Sequence, residues 1–149
     1  MRKYIFSVAF FAFMAIIFFT CKKDEINDQE FVKNHFVGRW PLLKTINITT
    51  KNGDTTVKDT VYYGLDSPKV VIPIDTLLFT KEDKYIKAGD TVNYTIDETG
   101  DHISFSTIPA ETWKIKYLRL KSIILTREKT EKKGSDTFIY YTEEQLIRN

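Results

Sequence analysis

Cysteine occurs once in this 149-residue chain, histidine twice, and glycine only six times. A single cysteine excludes an internal disulfide framework and a cysteine-rich zinc module. Two histidines, His35 and His102, do not supply a multi-histidine metal centre, and six scattered glycines leave little for a phosphate-cradling loop. Acids are absent from the first twenty positions, whose only charges are Arg2 and Lys3. Subtracting those two from the 22 basic residues leaves 20 against 20 acids, so the formal charge of +2 belongs to the leader. A balanced body gives no reason to expect nucleic-acid binding. Alanine is scarce too: beyond the leader only Ala88 and Ala110 remain.

The leader is the strongest local signal. Tyr4 to Thr20 is a 17-residue stretch without a charge, holding six of the eleven phenylalanines. Behind Arg2-Lys3 it has the pattern of a secretory signal peptide, whose positive end stays on the cytoplasmic side. At about 1.5 Å per residue it sits at the lower edge of what spans a bilayer core of roughly 30 Å as a helix. An uncleaved N-terminal anchor is the other reading, and both place the body outside the cytoplasm. The expected organisation is a signal peptide over 1–20, a polar tether over 21–27 and one domain over 28–149.

Without the leader the hydrophobic fraction falls from 42% to roughly 36%, still enough for a core. Thr, Ile, Val and Tyr dominate, residues that suit half-buried pleated surfaces. One helix is expected first: Asp28 caps it, Phe31, His35 and Phe36 share a face, and Gly38 ends it. His35 there reads as a packed boundary residue rather than a ligand. Beyond it the pattern has period 2. Trp40, Leu42, Ile46 and Ile48 share one parity, and Lys51-Asn52-Gly53-Asp54 is a tight hairpin turn. Thr55–Tyr63 returns, Lys69–Thr80 follows with Pro73 interrupting, and Lys84–Lys87 is short. Val92, Tyr94 and Ile96 alternate, Ile103 and Phe105 answer them, and Trp113, Ile115 and Tyr117 share a side. Lys121–Glu128 and Thr137–Thr142 close the series. The fold class is all-β: eight or nine short antiparallel strands in up-and-down order. Closing such a meander removes exposed edges, so a small barrel of about eight strands is expected.

Two resemblances add to this. Cys21, placed directly after the apolar run, resembles the lipid-attachment cysteine of bacterial lipoproteins, and Cys-Lys-Lys-Asp resembles the start of many Bacteroidota lipoproteins. The resemblance implies a diacylated Cys21, and it implies that Lys23, Asp24 and Glu25 act as a signal for export to the cell surface. Val37-Gly38-Arg39-Trp40 after a short helix resembles the Gly-x-Trp opening of lipocalin-like domains. Leu77 to Tyr85 resembles the strand-turn-strand of the small lipocalin-like lipoproteins of Bacteroidota, with Asp83-Lys84 where Asp-Gly is more usual. Val92-Asn93-Tyr94-Thr95-Ile96 and Ile123-Ile124-Leu125-Thr126 fit the same group. This resemblance implies a lipocalin-like barrel in which Gly38 and Trp40 are structural, Trp40 plugs the closed end, and an arginine, with Arg127 the candidate, packs over the ring.

The function expected is binding or carriage of a small hydrophobic or amphipathic ligand. Phe79, Tyr94, Phe105, Trp113, Tyr117 and Tyr140 are the candidates to line the barrel interior. The alternative is a non-catalytic structural or protein-interaction module at the outer membrane, with those side chains filling the barrel. Catalysis finds no support: Asp101-His102 beside Glu98 is the only Asp/His cluster, and Gly100 makes it a hairpin turn. No cofactor and no metal site is expected. The partners expected are the membrane, through the lipid on Cys21, a small hydrophobic ligand, and an envelope protein. Residues 114–133 carry eight basic residues against two acids, and 82–111 seven acids against two lysines. If strands sort these onto opposite sides, one face meets anionic lipid; a solvated outer face is the alternative. Asp59-Thr60, Asp75-Thr76 and Asp90-Thr91 resemble Bacteroidota O-glycosylation acceptors, or simply initiate strands.

Overall fold

A computed structural model describes residues 28–64 and 75–148. Cys21, Lys23, Asp24, Glu25 and the Pro73 interruption lie outside the described residues. The helix α1 spans Asp28–Phe36 and ends before Gly38, whose φ of +126° suits glycine alone. Its buried face is Val32 and Phe36, four residues apart. Phe31, which the sequence placed with Phe36, is instead 54% exposed.

Among the described residues nine strands follow: β1 (Gly38–Lys51), β2 (Asp54–Tyr62), β3 (Thr76–Phe79), β4 (Lys84–Lys87), β5 (Asp90–Ile96), β6 (His102–Phe105), β7 (Glu111–Arg119), β8 (Ser122–Lys133) and β9 (Asp136–Ile147). Every pairing is antiparallel, and β1 pairs with β9 to close the ring. Both β2 and β3 run antiparallel to β1, β2 against Lys44–Lys51 and β3 against Gly38–Pro41. They are successive halves of one stave, so nine segments make a closed eight-strand barrel in consecutive order. That is the topology expected of a lipocalin-like domain.

At the end away from α1, two hairpin tips are tied together. Asn52 and Gly53 take positive φ, as a type I′ turn requires. Asn52 Nδ2 donates to Asp136 Oδ1 at 2.8 Å, Thr137 N donates to Asn52 Oδ1 at 2.8 Å, and Lys51 Nζ lies 2.7 Å from Asp136. Among the Asp-Thr pairs, Thr76 and Asp90 are the first residues of β3 and β5, while Asp59-Thr60 lies within β2.

Two bulges redirect side chains. Between Leu42 and Lys44 the register of β1 against β9 shifts, and a second shift separates Ile115 from Tyr117 on β7. A bulge puts two residues opposite one and reverses the parity beyond it. Trp40 and Leu42 therefore point inward, whereas Ile46 and Ile48 lie opposite Glu143 and Tyr141 on the outer wall. On that wall Glu143 accepts hydrogen bonds from Lys116 Nζ (2.9 Å), Tyr141 Oη (2.8 Å) and Gln145 Nε2 (2.6 Å). Burial alone would raise its carboxyl pKa, but these donors hold it at about 2.

The half of the barrel next to α1 is solid. Phe36, Trp40, Phe79, Ile103 and Ile123 have no exposed surface, and Tyr94 and Leu146 almost none. Phe79 meets Phe36 and Tyr94 edge-on, at centroid distances of 5.1 and 5.3 Å. Trp40 closes the end and donates its indole N–H to the carbonyl of Phe36 at 2.7 Å. The arginine over its ring is Arg148, 4.0 Å from the centroid, not Arg127. Arg148 Nη2 also donates to Val37 O at 2.9 Å.

Candidate functional site: the barrel cavity

The other half of the barrel is hollow. A cavity of about 500 Å³ opens at the end opposite α1, between the β4–β5 turn at Ala88 and the β6–β7 loop at Thr107. Volumes of this order hold a small organic molecule. Its floor and walls are Leu77, Tyr85, Val92, Phe105, Trp113 and Leu125. Period 2 puts them there: Val92, Phe105, Trp113 and Leu125 share inward parity with the buried Tyr94, Ile103, Ile115 and Ile123. Charged and polar groups ring the mouth, namely Asn47, Lys87, Asp90, Glu111, Arg127, Thr142 and Glu144.

Lys87, Glu111, Arg127 and Glu144 in this ring are paired charges. Arg127 forms an ion pair with Glu111 while its guanidinium lies 4.8 Å over the Trp113 ring. Lys87 lies 3.4 Å from Glu144 and 3.6 Å from Asp75, so one ammonium bridges two carboxylates. Tyr85 stands against Phe105, ring centroids 4.6 Å apart. Burial pushes its phenol pKa well above the ordinary value, and the carboxylates of Glu144, Asp75 and Glu111 push it further. The hydroxyl thus stays a neutral donor beside these carboxylates.

The six aromatic residues expected to line the interior separate into groups. Phe105 and Trp113 line the cavity. Phe79 and Tyr94 lie in the solid half beneath it, where Tyr94 donates to Thr80 O at 3.3 Å; burial, then Asp83, pushes its phenol up to about 12. Tyr140 has inward parity, opposite Lys129 and Thr49, but stands above the rim, stacked on Phe138 with Lys133 over both rings. Tyr117 faces outward, a correction that follows from the β7 bulge: it pairs with Ile124, between the inward Ile123 and Leu125, and carries Arg119 over its ring at 4.8 Å. Tyr85, Leu125, Lys87, Glu111 and Glu144 were not singled out from sequence. Tyr85 alternates with Lys84 and Ile86 in a four-residue strand, too short for periodicity to register.

The basic run at 114–133 does not form one face. Arg127 points into the cavity, Lys116 pairs with Glu143, and Lys129 and Lys133 pair with Glu131. The cluster at Asp101-His102 is a hairpin turn organised by Asp97. That carboxylate accepts from the backbone N–H groups of Asp101 (2.8 Å) and His102 (3.0 Å) and lies 2.9 Å from His102 Nδ1. His35 Nε2 lies 3.0 Å from the carbonyl of Arg119. Among the described residues no group of three or more His, Cys, Asp or Glu side chains is placed to hold a metal ion. Nor is any described helix long and apolar enough to cross a membrane. No known family model matches the chain, and no curated protein matches it either.

Proposed function

We propose that this is a lipid-anchored envelope protein whose barrel holds a small hydrophobic or amphipathic ligand, without catalysis. The observation that carries the reading is the cavity of about 500 Å³ with an aromatic and aliphatic floor and a polar rim. Apolar area removed from water there contributes about 25 cal/mol per Å². Lys87, Arg127 and the Tyr85 hydroxyl supply donors, and Glu111 and Glu144 acceptors, for a polar head at the mouth. The anchor rests on the leader and on Cys21 directly behind it. Two acyl chains hold a protein at a bilayer where one is marginal.

Native mass spectrometry of protein extracted in mild detergent, with envelope lipids offered, tests the binding half. A retained small molecule at unit stoichiometry is expected; no retained ligand and no change in Trp113 emission across a ligand panel would sink it. For the anchor, Cys21→Ser should release or mislocalise the protein. Unchanged membrane association with an uncleaved leader would favour the signal anchor instead.

A non-catalytic interaction module is the competing reading, and one observation favours it. Ile46, Ile48, Ile139 and Tyr141 form a shallow apolar hollow on the outer wall, the first two turned there by the bulge in β1.

A further inference from the structure

Three large hydrophobic side chains stand out of the closed end, around the turn between β7 and β8. Leu120 is 79% exposed, Phe31 54% and Ile147 40%. Single exposed hydrophobics need no explanation, but three placed around one turn call for one. Contacts tie these three to one turn. Phe31 packs on His35, ring centroids 5.9 Å apart, and His35 Nε2 reaches the carbonyl of Arg119. Ile147 pairs with Ser122, and the N–H of Arg148 donates to the carbonyl of Lys121 at 2.8 Å. Arg119 and Lys121, both exposed, flank Leu120 directly.

The same end receives the chain from the leader. Helix α1 lies across the closed end, with Gln29 Nε2 bonded to Ile96 O and Lys33 paired with Asp83. Six residues lie between Cys21 and Asp28, a span of about 25 Å at full extension. On the membrane-anchored reading, with Cys21 acylated or the leader retained, a link this short would hold the domain by its closed end. An apolar tip set between two cations suits the interface of an anionic bilayer: the side chains enter the acyl boundary while the cations meet head groups.

We propose that Phe31, Leu120 and Ile147, with Arg119 and Lys121, seat the closed end on an anionic phospholipid surface and direct the cavity mouth away from it. The inference rests on the membrane-anchored reading but not on ligand binding.

The test uses the full chain reconstituted into vesicles of phosphatidylethanolamine and phosphatidylglycerol, some carrying brominated acyl chains. Leu120→Trp adds a reporter at the closed end, and Ile108→Trp adds one at the open end, where the native side chain is fully exposed. Neither site is buried, so both variants should fold. The emission added by Leu120→Trp should shift to the blue and be quenched by brominated lipid, and that added by Ile108→Trp should do neither. Arg119→Glu with Lys121→Glu should weaken the quenching in the Leu120→Trp background. Flotation of the vesicles reads the anchor separately: a chain that does not float overturns the anchored reading. A chain that floats with Leu120→Trp unquenched overturns the seat alone. A blue shift without bromine quenching would indicate a protein cover, such as a second copy, and would also overturn it.

Discussion

The guanidinium of Arg148 lies 4.0 Å over the Trp40 ring, although 108 positions separate them. One strand end thereby locks the other at the closed end of the barrel. Arg148 Nη2 lies so close beneath Gly38 that a Cβ there would come within 2.7 Å of it. Positive φ requires glycine at position 38, and a β-carbon there would also displace the arginine. Arg148→Ala should cost about 1–3 kcal/mol, combining the cation–π contact with the lost bond to Val37. Gly38→Ala should cost at least as much, and the double variant less than the sum, because one clash is removed. Thermal or urea unfolding measures all three, and strict additivity would contradict the coupling.

Acid should weaken the outer wall at Glu143. Its carboxyl pKa, about 2 when folded, lies below the ordinary 4.5, so the stabilisation it contributes is fully present above pH 4.5. As pH falls from there through about 2, that contribution is lost. Glu143→Gln should be less stable than the parent at neutral pH by about 1–3 kcal/mol. The two stability curves should converge between pH 4.5 and 2, as unfolding across that range would show. A constant gap would contradict the hydrogen-bond network as its cause.

The cavity assigns opposite outcomes to two aromatic residues of one strand. Trp113→Ala removes a wall and leaves Arg127 without its ring, so affinity for a bound apolar probe should fall about tenfold or more, some 1.4 kcal/mol. Tyr117→Ala, on the outer wall, should leave that affinity unchanged. Equal losses would place Tyr117 inside and contradict the bulge between Ile115 and it.

The tied hairpin tips make a third point of stability. Asn52→Ala removes two bonds to the β8–β9 tip and puts a β-carbon residue less suited than asparagine at positive φ. A loss of about 1–2 kcal/mol is expected from denaturant unfolding. Asp136→Asn, which keeps an acceptor for Asn52 but loses the pairing charge with Lys51, should cost less.

Much of this fold was legible because local rules acted alone. Asn52-Gly53 announced its turn through φ, Gly38 ended α1, and the alternation of Val92, Tyr94 and Ile96 with Ile103 and Phe105 predicted a shared inward face. Parity arguments failed where a bulge intervened. Ile46, Ile48 and Tyr117 continue an apolar pattern in sequence, yet one extra residue turns each to the outer wall, and nothing in the residue types marks that insertion. Pairings across the ring were equally hidden. Arg127 and Arg148 are indistinguishable by sequence as partners for Trp40, and only the closure of β9 on β1 decides between them. The cavity's two characters had the same origin. Phe79 and Phe105 share inward parity, but height along the barrel makes one a core residue and the other a wall.

The central claim, that the hollow half of the barrel is a ligand site, is tested most directly by titrating the full chain with 1-aminoanthracene. The account predicts saturable binding at one site, with energy transfer from Trp113, and its loss on Val92→Trp, which fills the cavity from a half-buried wall position. No saturable binding to the parent protein, or binding that survives Val92→Trp undiminished, would contradict it.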